Sequence, residues 1–179
     1  MSRWVALLPL LALAALAVLF AGYALHRDPH VEPMATVGKP MPDLTLAGLD
    51  DSAPVRLRDT LKSGPVLVNF FASWCGPCAE DQPALLYLKQ KGVRIVGVDY
   101  EDTPPRGSAV EAQAFLRKLG DPFAHRVTDP DGRAGIEFGI TGVPETYLVA
   151  ADGRILAKHV GPLGKPAADE LAAQILTAR

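Results

Sequence analysis

Apolar residues run from Trp4 to Leu25, interrupted only by Pro9 and Gly22, with Arg3 ahead of them and His26-Arg27-Asp28 behind. A run of that length crosses a bilayer as a helix. It predicts a transmembrane helix within residues 1–27. The helix is expected to stay on as an uncleaved signal anchor, because a cleaved signal peptide has a shorter apolar region and only Ala21 to Ala24 offers a weak small-residue site. Arg3 and Arg27 nearly balance across the span, so charge alone sets no orientation. Residues 28–36 are polar and proline-rich with no period, as in a tether. Residues 37–179 are expected to form the folded domain.

Within that domain, short strand patterns alternate with helical ones. Asp43-Leu44-Thr45-Leu46 and Val55-Arg56-Leu57 predict a first pair of strands, with a turn or short helix over 59–62. Val66-Leu67-Val68-Asn69-Phe70-Phe71 is β-branched and aromatic, the pattern of a strand covered on both faces. A helix is predicted over 79–91, and Val93-Arg94-Ile95-Val96-Gly97-Val98-Asp99-Tyr100 is the next strand. Strand, helix and strand in that order imply a crossover and a parallel pair. Ser108 and Glu111 cap a helix that Gly120 ends. A strand is expected at 124–128, a turn at Asp129-Pro130-Asp131-Gly132, and a brief helix near 134–138. A hairpin over 146–150 and 155–160 and an amphipathic helix over 166–178 close the domain. The class is α/β, a central mixed sheet flanked by helices.

Composition narrows the functional classes. With 179 residues, 49% of them hydrophobic, the chain has material for one medium domain plus an appendage. The formal net charge is −2 with both signs interspersed, so no basic tract points to nucleic acid or to a polybasic membrane patch.

Chemistry concentrates where the covered strand meets the helix, at Trp74-Cys75-Gly76-Pro77-Cys78, which holds both cysteines of the chain. The free N–H groups and dipole of a helix start favour a thiolate over a thiol, so Cys75 is the candidate nucleophile. Cys78, three residues on and on the same face, is placed to resolve it. A zinc site needs two more soft ligands; there is no third cysteine, and His26, His30, His125 and His159 form no ligand-spaced pair. A purely structural disulfide closing so short a loop removes little unfolded-chain entropy. The redox reading stands above both, with no metal and no organic cofactor, the cysteine pair being the redox group.

The motif Trp74-Cys75-Gly76-Pro77-Cys78, the helix proline Pro83 and the Val143-Pro144 pair before the hairpin together resemble thioredoxin. With the amino-terminal anchor, Gly38-Lys39-Pro40, Val68-Asn69, Gly97-Val98-Asp99-Tyr100 and Gly142-Val143-Pro144-Glu145-Thr146, nearly the whole chain resembles the membrane-tethered reductases of cytochrome c maturation, the CcmG/DsbE family. The resemblance implies a thioredoxin-like fold in which a cis Pro144 lies against the disulfide. It also implies that Val143, Pro144 and Trp74 bind the client peptide, with Gly76 and Pro77 shaping the cysteine turn. The implied client is the haem-attachment cysteine pair of apocytochrome c or a maturation thiol protein. The implied electron donor is a transmembrane thiol reductase. The implied location is the bacterial inner membrane, single-pass, with the domain in the periplasm.

Two departures matter. Gly76-Pro77 is the dipeptide of thioredoxin itself, where the maturation family varies, which keeps a broad tethered reductase or oxidant in view. Asn69 stands where thioredoxins carry a buried aspartate that takes the proton of the second cysteine, so another carboxylate is expected in that role. Glu145, beside Pro144, is the first choice and Asp81 the second. Glu80, Glu101 and Asp102 are read as solvated charges near loop ends. A binding module or chaperone gripping peptides at Val143-Pro144 without turnover is the rival of a different class.

Overall fold

The computed structural model describes residues 36–178 and, near the amino end, the helical residues 9, 12–16, 18 and 19. The spanning helix expected within 1–27 and the tether over 28–36 thus lie almost wholly outside the described residues, among which no helix is long and apolar enough to cross a membrane. The chain divides into two units, Met1–Pro33 and Met34–Arg179, and every element named below belongs to the second.

Strand β3 (Val66–Phe71) is an inner strand of the sheet, with a neighbour on each side and all six residues buried. Its period of two splits the domain into two cores. Leu67 and Phe71 face one core; Val66, Val68 and Phe70 face the other. The remaining strands are β1 (Thr45–Gly48), β2 (Pro54–Arg56), β4 (Ile95–Tyr100), β5 (His125–Asp129), β6 (Glu145–Val149) and β7 (Ile155–Val160), in the spatial order β2-β1-β5-β4-β3-β6-β7. β3, β4 and β5 are mutually parallel, while β1, β6 and β7 each run antiparallel to a neighbour. The sheet is mixed, as expected.

Helices α1 (Gly76–Gln90), α2 (Ala109–Leu119) and α4 (Lys165–Thr177) send Leu85, Leu88, Ala112, Leu116, Leu171 and Ile175 into the core of Leu67 and Phe71. Helix α3 (Arg133–Phe138) and a 3-10 stretch, Leu57–Ser63, cover the opposite face through Phe138, Leu57 and Leu61. Gly97 in β4 makes one of these layers possible: a Cβ there would come within 2.5 Å of the Phe123 ring.

The boundaries differ from expectation for local reasons. α1 starts at Gly76 instead of residue 79, because Pro77 suits a first helical turn and Cys75 supplies the cap. It also continues through Pro83 to Gln90. β1 begins at Thr45, where its ladder with Arg56 of β2 starts, and Asp43 stands exposed beside it in an ion pair with Arg56. Ser108 caps α2 as expected, its Oγ accepting the Glu111 N–H at 3.3 Å and donating to Glu111 Oε2 at 2.9 Å.

Candidate active site

Burial of β3 on both faces drives the chain straight to the sheet's carboxyl edge, where Cys75 takes an extended conformation and caps α1. Its Sγ accepts the Cys78 N–H at 3.1 Å, and the two sulfurs are bonded to each other across a Cα separation of 5.3 Å. Cys75 is 5% exposed and Cys78 1%, so the capping sulfur is the one nearer solvent. On reduction, the same N–H and the dipole of α1 lie ready to stabilise a Cys75 thiolate.

Gly76 and Pro77 form the first helical residues between them. The Val143 carbonyl oxygen stands 3.4 Å from Cys75 Sγ, and the Val143–Pro144 peptide bond is cis. Val143 packs against both cores at the head of β6. Trp74, 38% exposed, is held from the side: its Nε1–H donates to the Glu101 carbonyl at 3.4 Å, and the Arg106 guanidinium lies 5.5 Å over its ring. Arg106 is in turn paired with Glu101 at 2.8 Å.

The two candidate proton acceptors lie on opposite sides of the sheet. Glu145 pairs in register with Phe70, so its side chain points into the core of Phe70 and Tyr147, away from the cysteine face. There it is fully buried. Its Oε1 accepts from Thr141 N–H at 2.8 Å and Thr141 Oγ–H at 2.6 Å; its Oε2 accepts from Tyr147 O–H at 2.8 Å and pairs with the buried Lys158 ammonium at 3.0 Å. Lys158 also donates to the Gly139 carbonyl at 2.9 Å. Glu145 thus ties the 139–141 loop to the hairpin, and no oxygen of it is free for a sulfur's proton.

Asp81 occupies the cysteine face. It lies three residues beyond Cys78 on α1, one turn along the same side, and is 1% exposed. Its Oδ1 accepts the Leu163 N–H at 2.6 Å and its Oδ2 the Asn69 amide at 3.1 Å. Asn69 also donates to Thr146 Oγ1 at 3.0 Å, while its Oδ1 has no partner. Burial pushes the Asp81 carboxyl up to about 6, against the pull of those donors and of His159. The buried carboxyl on the cysteine face thus stands on the helix, with Asn69 of β3 as one of its hydrogen-bond donors.

Sequence reasoning missed Thr146, which strand register sets beside Asn69, the Leu163 N–H, which the loop after β7 brings to Asp81, and Lys158, which meets Glu145 on the opposite face of the sheet. It also misplaced Asp102, which is buried and accepts two hydrogen bonds from Ser73. The sequence does carry one signal of this buried acidic pocket: Asp99 is a charged residue in an otherwise apolar, buried strand.

The model of the Redoxin family matches residues 36–175. The thiol:disulfide interchange protein HelX of Rhodobacter capsulatus is 41% identical over 166 residues, 91% of this chain and 90% of that protein. The thiol:disulfide interchange protein DsbE of Escherichia coli K12 is 36% identical over 168 residues, 91% and 88% of the two chains.

The chain belongs to the DsbE/HelX family.

It is a thiol:disulfide oxidoreductase of DsbE/CcmG type with a thioredoxin-like fold. A Chlorobium tepidum crystal structure assigned to a DsbE superposes with a TM-score of 0.65 at 30% identity, covering 79% of this chain and 96% of that one. In this DsbE/HelX member the bonded Cys75–Cys78 pair lies at the carboxyl edge of the sheet.

Proposed function

We propose that this DsbE/HelX member is an extracytoplasmic reductant for the haem-attachment cysteine pair of apocytochrome c, directly or through a maturation thiol protein. The observation that carries the reading is the capping sulfur of Cys75, with the Cys78 N–H on one side and the Val143 carbonyl on the other. The Cys75 thiolate attacks one sulfur of a client disulfide, forming a mixed disulfide and releasing the other client sulfur as a thiolate that takes up a proton. Cys78 then loses its proton to Asp81 and attacks Cys75. The client's second thiolate leaves, and the Cys75–Cys78 disulfide closes. Two electrons have passed to the client. A transmembrane thiol reductase supplies two electrons to reopen the pair, and no metal or organic cofactor takes part.

Val143 and Pro144 serve as the edge along which the client backbone lies, and Trp74 as the apolar side of that groove. Residues 1–27 anchor the chain as a single-pass helix in the bacterial inner membrane, residues 28–36 are the tether, and residues 37–179 work in the periplasm. A Cys78→Ser protein should hold its client as a mixed disulfide on Cys75; if the trapped species never include c-type cytochromes or their maturation partners, the client assignment fails. A second reading is a tethered reductase or oxidant of broad range. Trapping of many unrelated envelope proteins would select it.

A further inference from the structure

β4 is an apolar strand with one exception near its end. Asp99 pairs in register with Phe71 of β3 and with Thr128 of β5, so it stands on the face of the sheet that carries Cys75 and Cys78. It is buried, and its Oδ1 has no hydrogen-bond partner. A lone buried carboxylate is costly. What lies within hydrogen-bonding reach is a second carboxyl, Asp102, itself buried on the loop after β4.

Two carboxyls in one pocket do not both ionise easily; they hold a proton between them. Burial first, and then the charge and hydrogen bond of Asp102, push the Asp99 carboxyl up to about 9. Asp102 is the charged group that acts on it. Phe71, Thr128 and the Phe123 ring over Gly97 are the neighbours from the other elements, and the nearby Glu101 and Arg106 pair with each other beside Trp74.

Asp102 reaches toward the active site through Ser73. Its Oδ2 accepts the Ser73 N–H at 2.6 Å and its Oδ1 the Ser73 Oγ–H at 2.7 Å. Ser73 lies inside the turn that the Cys75 N–H closes on the Ala72 carbonyl at 3.2 Å. The pocket is sealed by Gly107, where a Cβ would fall 1.7 Å from Asp102 Oδ1 and 2.7 Å from Ser73 Oγ.

We propose that Asp99 and Asp102 are positioning residues for Cys75: the two carboxyls share one proton, and the single charge left on Asp102 clamps Ser73 and with it the turn that presents the attacking sulfur. This rests on the reading of Cys75 as the nucleophile. Loss of the shared proton sets a second negative charge in the pocket, which pulls the clamp apart and opposes a thiolate at Cys75.

The test is a titration of the full-length, oxidised protein in detergent, with aspartate carboxyl carbons and backbone amides followed by NMR; no thiol titrates in that state. One aspartate carboxyl should remain protonated at neutral pH and change only near pH 9, the Ser73 amide moving with it. Both movements should vanish in Asp99→Asn, whose carboxamide still donates to Asp102. If every aspartate finishes titrating below about pH 8, or if the Ser73 amide ignores the alkaline step, the pair is overturned. In the reduced protein at neutral pH, alkylation of Cys75 should fall about tenfold in Ser73→Ala, and an unchanged rate would overturn the clamp. Equal alkylation of Cys75 and Cys78 in the wild type would overturn the nucleophile reading instead, leaving the carboxyl titration as a separate result.

Discussion

Burial makes the Asp81 carboxyl hold its proton to higher pH than a free aspartate does, and the sign of the effect follows. The unfolded chain loses that proton near 3.8, whereas the folded chain keeps it to about 6. The stability that the protonated carboxyl contributes is therefore complete below about pH 4 and is lost as pH rises through about 6, a difference of up to about 3 kcal/mol. Asp81→Asn should raise the urea midpoint at pH 7.5 and leave it nearly unchanged at pH 3.5, since the amide oxygen still accepts from Leu163 and Asn69 has an unpartnered oxygen to turn toward the new N–H. The same variant should slow release of a trapped client by about a hundredfold, because the acceptor for the Cys78 proton is gone. Glu145→Gln should behave in the opposite way. It strands the Lys158 ammonium in the core and should cost about 3–5 kcal/mol by chemical denaturation, most of it recovered in a Glu145→Gln, Lys158→Met double variant, with the thiol titration unmoved. At this scale the cysteines were legible because their chemistry depends on neighbours within three residues. The choice between Glu145 and Asp81 was not, since adjacency to Pro144 in sequence says nothing about which face of a strand a side chain takes until Glu145 is known to lie opposite Phe70 and not Phe71.

Among the elements, α1 and β3 were the plainest to read, one from a solid apolar run and the other from the break that Gly76 and Pro77 make in it. The expected start at residue 79 came three residues late, because the cysteines were rightly placed at the helix start but Cys75 itself is the cap and Gly76 and Pro77 already belong to the first turn. Helix α2 was read correctly at both ends because Ser108, Glu111 and Gly120 act locally. Asp102 was misread because burial of a loop carboxylate depends on a serine 29 positions earlier. The packing of β4 under residue 123 gives a direct check. Gly97→Ala should destabilise the domain by about 1–3 kcal/mol in urea, because the new methyl meets the Phe123 ring inside contact distance and the ring is fixed against Phe71.

For the molecule as a whole, the parallel β3–β4 pair and the β6–β7 hairpin followed from short connections. The outer half of the sheet did not, because Ala47 of β1 pairs with Thr128 of β5, a partner that no local pattern announces. The division at residue 34 also predicts separable parts: a fragment beginning at Met34 should match the full chain in disulfide turnover and urea midpoint, while only the full chain should sediment with membranes. Synthesis from the amino end adds a consequence of the same topology. Val143, whose carbonyl stands against the Cys75 sulfur, is made 68 residues after it. At a few to twenty residues per second, both thiols spend several seconds as bare side chains on a growing polypeptide, where any stray oxidant or passing cysteine can reach them before their cover exists.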